Sequence, residues 1–112
     1  VEFAKTLDKE IKAALIQAMK SDVNPAVRKE ALRTLQKFPL DQDVKQAFLF
    51  VMQHDGNPSM RIEVINSLEK ALTRDGKVDQ DILNAIKEKM QSDQNNYIRI
   101  RARNLYEEVK QQ

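Results

Sequence analysis

Apolar residues recur along this chain at intervals of three and four, and the same pattern is written three times. Residues 8–35, 41–68 and 79–106 align without an internal gap. The first half of each segment carries Ile11, Val44 and Ile82; Ala14, Ala47 and Ala85; Leu15, Phe48 and Ile86; and Met19, Met52 and Met90 at matching places. That spacing puts one apolar stripe on a helix of 3.6 residues per turn. A turn follows (DVNPAVR, DGNPSMR, DQNNYIR), and a second stripe carries Val27, Met60 and Ile98; Ala31, Val64 and Ala102; and Leu35, Leu68 and Tyr106. Each segment therefore predicts a helix A, a short turn and a helix B.

The polar positions mark the ends of these helices. Asp8, Asp41 and Asp79 open the three segments as expected N-caps, with Glu10, Asp43 and Asp81 in the first turn. Carboxylates there accept orphan N–H groups and complement the helix dipole. Asn24, Asn57 and Asn95 are the expected caps of the B helices. Pro25 and Pro58 follow at the first helical position, where the missing N–H costs nothing, and the third segment has Asn96 instead. The first two segments are offset by 33 residues and the next two by 38. The extra five fall in LTRDGKV, residues 72–78, where Asp75-Gly76 signals a turn and Arg74 and Lys77 solvate it. A lengthened surface loop is the expectation there.

Composition narrows the class. Two Gly and three Pro in 112 residues leave room for long regular elements. Aromatic residues are 5% and β-branched runs are short, which argues against strands. Basic (19) and acidic (17) residues interleave to a net charge of +2, neither a nucleic-acid footprint nor a polybasic anchor. The absence of Cys excludes disulfides, thiolate metal sites and Cys nucleophiles. No apolar run approaches the roughly 18 residues that span a bilayer, and no signal-peptide pattern is visible. A chain opening at Val1 reads as a processed or trimmed form of a longer one.

An Asp, then Asn-Pro, then an apolar residue and Arg, followed by an AL-x-x-L pattern, resembles the HEAT-repeat family over about residues 8–108. The resemblance implies an all-α fold, a right-handed α-solenoid (α-α superhelix) of about three HEAT-like helix pairs. It also implies a ladder between neighbouring units, drawn from Asp22, Asp55 and Asp93 and from Arg28, Arg61 and Arg99. The third unit departs from the pattern at Asn96. A second resemblance, of residues 1–35, is to the C-terminal HEAT-like region of bacterial membrane-anchored, anti-sigma-factor-like proteins. It implies the soluble C-terminal module of a regulatory protein, with Val1, Phe3 and Ala4 ending an upstream helix B. The sequence does not fix the compartment; the cytoplasm and a soluble domain on a membrane-anchored protein are the two settings it leaves open. The expected organisation is one domain over residues 1–112: a helix remnant at 1–7 and repeats at 8–38, 41–72 and 79–110. Arg103, at the place of Leu32 and Ile65, gives the last unit the polar outer face that a terminal repeat needs.

Candidate chemistry is sparse. His54, the single His, ends the second helix A beside Asp55 and lacks a second metal-ligating partner; some HEAT-like hydroxylases use His-Glu pairs, which this chain does not have. Asp41/Asp43 and Asp79/Asp81 could be acid–base pairs only if they faced one another across a cleft; their equivalence argues for caps. No Gly-rich phosphate loop occurs. Met19, Met52 and Met90 could line a promiscuous groove, but their alignment on the stripe favours core. No catalytic residue, metal or cofactor is expected, and the chain reads as a non-enzymatic scaffold.

The expected function is protein–protein interaction. In HEAT stacks the B helices line the concave face. The positions aligned there are Lys29, Ile62 and Ile100; Glu30, Glu63 and Arg101; Arg33, Asn66 and Asn104; and Lys37, Lys70 and Glu108. Mixed charge with two Ile suits a protein or peptide better than a polyanion. The alternative is nucleic-acid binding through the helix of Arg99, Arg101 and Arg103, near Tyr97, which Glu107 and Glu108 dilute.

Overall fold

Each stretch between breakers closes into a helix. The computed structural model describes residues 2–111, with α1 (Glu2–Ser21), α2 (Pro25–Leu35), α3 (Gln42–His54), α4 (Pro58–Leu72), α5 (Gln80–Ser92) and α6 (Asn96–Lys110). The caps explain most of the boundaries. Asn24 Oδ1 accepts from Ala26 N at 2.9 Å, Asn57 Oδ1 from Ser59 N at 2.9 Å and Asn95 Oδ1 from Ile98 N at 3.0 Å. Asp41 Oδ1 accepts from Val44 N and Asp79 Oδ1 from Ile82 N, at 2.9 and 3.1 Å.

Asp8 departs from this rule. It lies inside α1, which runs unbroken from Glu2 to Ser21. Pro39 precedes Asp41 and a turn precedes Asp79, but FAKTL before Asp8 contains no breaker, so the helix simply extends backwards. Residues 2–7, with Phe3 and Ala4, are thus the first turns of α1 and not a separate helix remnant. Val1 lies outside the described residues.

The expected loop at 72–78 contains a small hairpin. Strands β1 (Thr73–Arg74) and β2 (Lys77–Val78) pair antiparallel, Thr73 against Val78 and Arg74 against Lys77. Asp75 and Gly76 both have positive φ, 53° and 75°, the type I′ geometry that matches strand twist. Asp-Gly therefore overrides the low strand propensity of the whole chain. Asp79 N donates to Leu72 O at 2.8 Å and fastens the hairpin's base.

The chain divides into two compact units, Val1–Ala47 and Phe48–Gln112. In the first, α1 packs on α2, with Met19, Ala31, Leu32 and Leu35 buried. In the second, α4 packs on α5 and α6, which pack on each other. Phe48, Met60, Ile65, Leu68, Ile82, Ile86, Ile98 and Leu105 are buried there. Burying each such side chain contributes roughly 1.5–3 kcal/mol.

The repeated stripes are not equally covered. Ile82 and Ile98 are wholly buried, whereas their equivalents Ile11 and Val27 are 43% and 40% exposed, and Ala14 is exposed as well. In α6 the buried face comprises Ile98, Ala102 and Leu105, and Tyr106 is only half-buried. The expected core place of Tyr106 is thus shared with Leu105, one residue earlier. Arg103, by contrast, is exposed.

Candidate functional site

Three identical turns organise the polar side chains. In each, an Asp Oδ1 accepts from the Asn N–H two residues on: Asp22 from Asn24, Asp55 from Asn57 and Asp93 from Asn95, all at 2.9 Å. Each following Arg turns back to the carbonyl of the same Asp: Arg28 to Asp22 at 3.1 Å, Arg61 to Asp55 at 2.8 Å and Arg99 to Asp93 at 2.6 Å. The Asp–Arg spacing thus closes a local loop before any longer-range pairing is made.

In the second unit Arg61 also reaches across to the next turn. Its Nε and Nη2 donate to Asp93 Oδ2 and Oδ1, both at 3.0 Å. This fork occupies both carboxylate oxygens and is the strong form of the Arg–carboxylate pair. Lys89 Nζ adds an ion pair with Asp93 Oδ2 at 3.6 Å. All three residues are buried. Burial pushes the Asp93 carboxyl up, but the Arg61 hydrogen bonds, the Asn95 N–H and the two cations outweigh it and hold Asp93 below the usual carboxylate range. Arg61, Lys89 and Asp93 line a polar cleft of about 400 Å³ together with Gln53 and Asp55. Lys89 carried a weak signal in the sequence: it stands in register with Val51 and Ala18 and four residues before Asp93.

In the first unit Lys12 Nζ donates to Asp41 Oδ2 at 2.7 Å and lies 3.6 Å from Asp43 Oδ2. The hydrogen bond to Asp41, chiefly, raises the Lys12 pKa. The same bond, with the Val44 N–H, lowers that of Asp41. Asp41 therefore serves at once as cap and as ion-pair partner, an arrangement unlike two carboxylates poised across a cleft.

The expected partner-binding positions divide between the units. On α2, Lys29 is half-buried and Glu30 and Arg33 are exposed. On α4, Ile62 and Glu63 are half-buried and Asn66 is exposed; on α6, Ile100 and Asn104 are exposed and Arg101 is half-buried. The α4 and α6 sets are joined by Arg101, whose Nη2 donates to Glu69 Oε1 and, at 3.3 Å, to Asn66 Oδ1. Glu69 was not among the expected positions, because nothing in the sequence ties it to a residue 32 places later.

The arginine cluster disperses. Arg99 is held by its own turn and by Asn96 Oδ1, Arg101 by α4, and Arg103 is exposed. His54 is exposed and tilts against Phe50, ring centroids 4.6 Å apart. Met19 and Met52 are buried and Met90 is half-buried, so these methionines form no open groove. Among the described residues no three His, Asp or Glu side chains are gathered as a metal site would need. No helix of those residues is long and apolar enough to cross a membrane.

Paired antiparallel helices, each closed by an Asp-x-Asn turn and an Arg, define an all-α repeat protein of the solenoid class. The sequence model for HEAT repeats matches residues 6–106, and the chain belongs to that family. No curated protein and no solved structure matches it. HEAT repeats generally serve as protein-interaction scaffolds, and the family is typically non-enzymatic.

Proposed function

We propose that this chain is a non-enzymatic scaffold that binds a protein or peptide on the outward side of its B helices. The carrying observation is the α4–α6 face of the second unit. Ile100 stands 55% exposed beside Arg101, whose charge is already paired with Glu69. Asn66 and Asn104 supply exposed amides. An exposed apolar anchor with a held guanidinium and a polar rim is the anatomy of a protein interface. Lys29, Glu30 and Arg33 are the corresponding positions of α2 and extend the proposal to the first unit. With Arg99 and Arg101 engaged inside the fold, the face offers a polyanion little, which places nucleic acid second. A regulatory setting in bacteria rests on the second resemblance alone.

The test is affinity capture from cell extract with the wild type, Ile100→Glu and, as control, Lys87→Glu on exposed α5 surface. The same proteins should be retained by the wild type and the control and lost by Ile100→Glu. Retention by all three would remove this face from the proposal. Capture of nucleic acid that collapses between low and moderate salt would favour the other reading.

A further inference from the structure

The second unit contains two Asp-Gly pairs, Asp55-Gly56 and Asp75-Gly76, and holds them in opposite ways. In such a pair the glycine nitrogen approaches the aspartate side chain with little hindrance, because glycine has no Cβ. Both glycines are exposed, and an added Cβ would meet no atom within 4 Å at either, so crowding does not distinguish the pairs. Hydrogen bonds do. Asp55 is held at three points: its N–H donates to Val51 O at 2.9 Å, its Oδ1 accepts from Asn57 N at 2.9 Å and its carbonyl accepts from Arg61 Nη1 at 2.8 Å. Arg61 is itself fixed by its fork onto Asp93. Asp75 is exposed at the hairpin tip, and among the described residues neither its carboxylate nor its carbonyl accepts a hydrogen bond.

The backbone supplies a second difference. A five-membered ring between aspartate Cγ and the next nitrogen holds the aspartate ψ near about −120°, which with positive φ is the first central residue of a type II′ turn. Asp75 already has φ 53°. Types I′ and II′ differ by a flip of the central peptide plane, and both suit a two-residue hairpin. Gly76 accepts either sign of φ, so the plane can turn over while Thr73 stays paired with Val78. At Asp55 the same flip would pull the carbonyl off Arg61.

We propose that Asp75 is a site of spontaneous succinimide formation and isomerisation to isoaspartate, and that the fold protects Asp55 from the same reaction. Gly76 N attacks Cγ of the neutral Asp75 carboxyl, and the N–H proton and the Cγ hydroxyl leave as water. Water then adds to one of the two ring carbonyls. Addition at Cγ regenerates aspartate. Addition at the main-chain carbonyl breaks its bond to Gly76 N, returns a proton to that nitrogen and leaves the chain running through Cβ and Cγ. Nothing is oxidised or reduced, and the mass is unchanged. The product lengthens the main chain by one carbon between α4 and α5, where a two-residue turn has no room for it, and frees an α-carboxylate at the surface.

The folded full chain is incubated at neutral pH in oxygen-18 water, beside a sample unfolded in urea, until the unfolded sample carries isoaspartate at both pairs. Both are then digested in ordinary water with an endoproteinase that cuts before aspartate and not before isoaspartate. Isomerised Asp75 yields a fragment of residues 55–78 in place of 55–74 and 75–78, carrying one oxygen-18; isomerised Asp55 yields 43–74. In the folded chain Asp75 should convert roughly tenfold or more faster than Asp55, the rate penalty of breaking a hydrogen bond to a charged group. In urea the two rates should converge. Equal conversion of the pairs in the folded chain, or faster conversion at Asp55, overturns the proposal. So does an Asp75 that stays unconverted, or a 55–78 fragment without oxygen-18.

Discussion

The first and third repeats carry the same pattern in two different surroundings. Both have an Asp turn, an Asn cap and an Arg that turns back, with near-identical hydrogen bonds. Yet Asp93 sits buried between Arg61 and Lys89, while Asp22 is half-buried and caps only its own turn. Ile82 and Ile98 are buried; Ile11 and Val27 are not. Local sequence therefore builds the turn, and the neighbouring repeat decides what that turn contributes to stability.

The sharpest way to break this comparison is to delete the two aspartates. Asp93→Ala leaves Arg61 and Lys89 buried without their anion and should destabilise by about 3–5 kcal/mol. Asp22→Ala removes a turn hydrogen bond alone and should cost about 1 kcal/mol. Urea denaturation of the two variants reads the difference, and equal losses would show that the Arg61 fork contributes nothing beyond the turn. Acid sharpens the point. Because the folded Asp93 carboxyl is held below its ordinary value, the folded chain binds fewer protons than the unfolded one near pH 4. Its stabilisation is complete above that range and declines as pH falls through the lowered value. The gap between wild type and Asp93→Asn should therefore be constant near neutrality and narrow below about pH 4. A gap that widens in acid contradicts this account.

Apolar truncations come next in size. Ile82→Ala and Ile98→Ala should each cost about 2–4 kcal/mol, since both side chains are wholly buried. Ile11→Ala and Val27→Ala, at the equivalent places, should each cost under about 1 kcal/mol. Thermal melts of the four variants make the check. If Ile11→Ala proved as costly as Ile82→Ala, the α1 face would already be covered in solution.

What the sequence revealed follows the same division. Period, caps and turns were legible because each depends on residues a few places apart: Asn57 on Ser59, Asp79 on Ile82. The false cap at Asp8 came from equating positions whose upstream neighbours differ, and helix starts depend on what fails to break them. Lys89 was missed because lysine in an A helix reads as solvated surface, and only Asp93, held by Arg61 from 32 residues away, draws it inward. In the candidate face, Ile100 was legible as an apolar residue off the stripe. The Arg101–Glu69 pair was not, because α6 and α4 meet only in three dimensions.

The two glycines give the smallest contrast and separate local geometry from repeat geometry. Gly76 sits at φ 75° in a hairpin that only one junction possesses. An added Cβ there meets no atom within 4 Å, so Gly76→Ala is opposed by backbone conformation alone and should cost about 1–2 kcal/mol. Gly56 also has open space around it, without a positive φ. Its equivalents in the first and third turns are Val23, 95% exposed, and Gln94, so the turn accepts a side chain at this place. Gly56→Ala should therefore be neutral, or stabilise by up to about 0.5 kcal/mol through the unfolded chain. Chemical denaturation of both variants tests the pair. A loss at Gly56 as large as at Gly76 would mean that the second turn is not equivalent to its neighbours, and the positional equivalence on which the comparison of repeats stands would fail at that point.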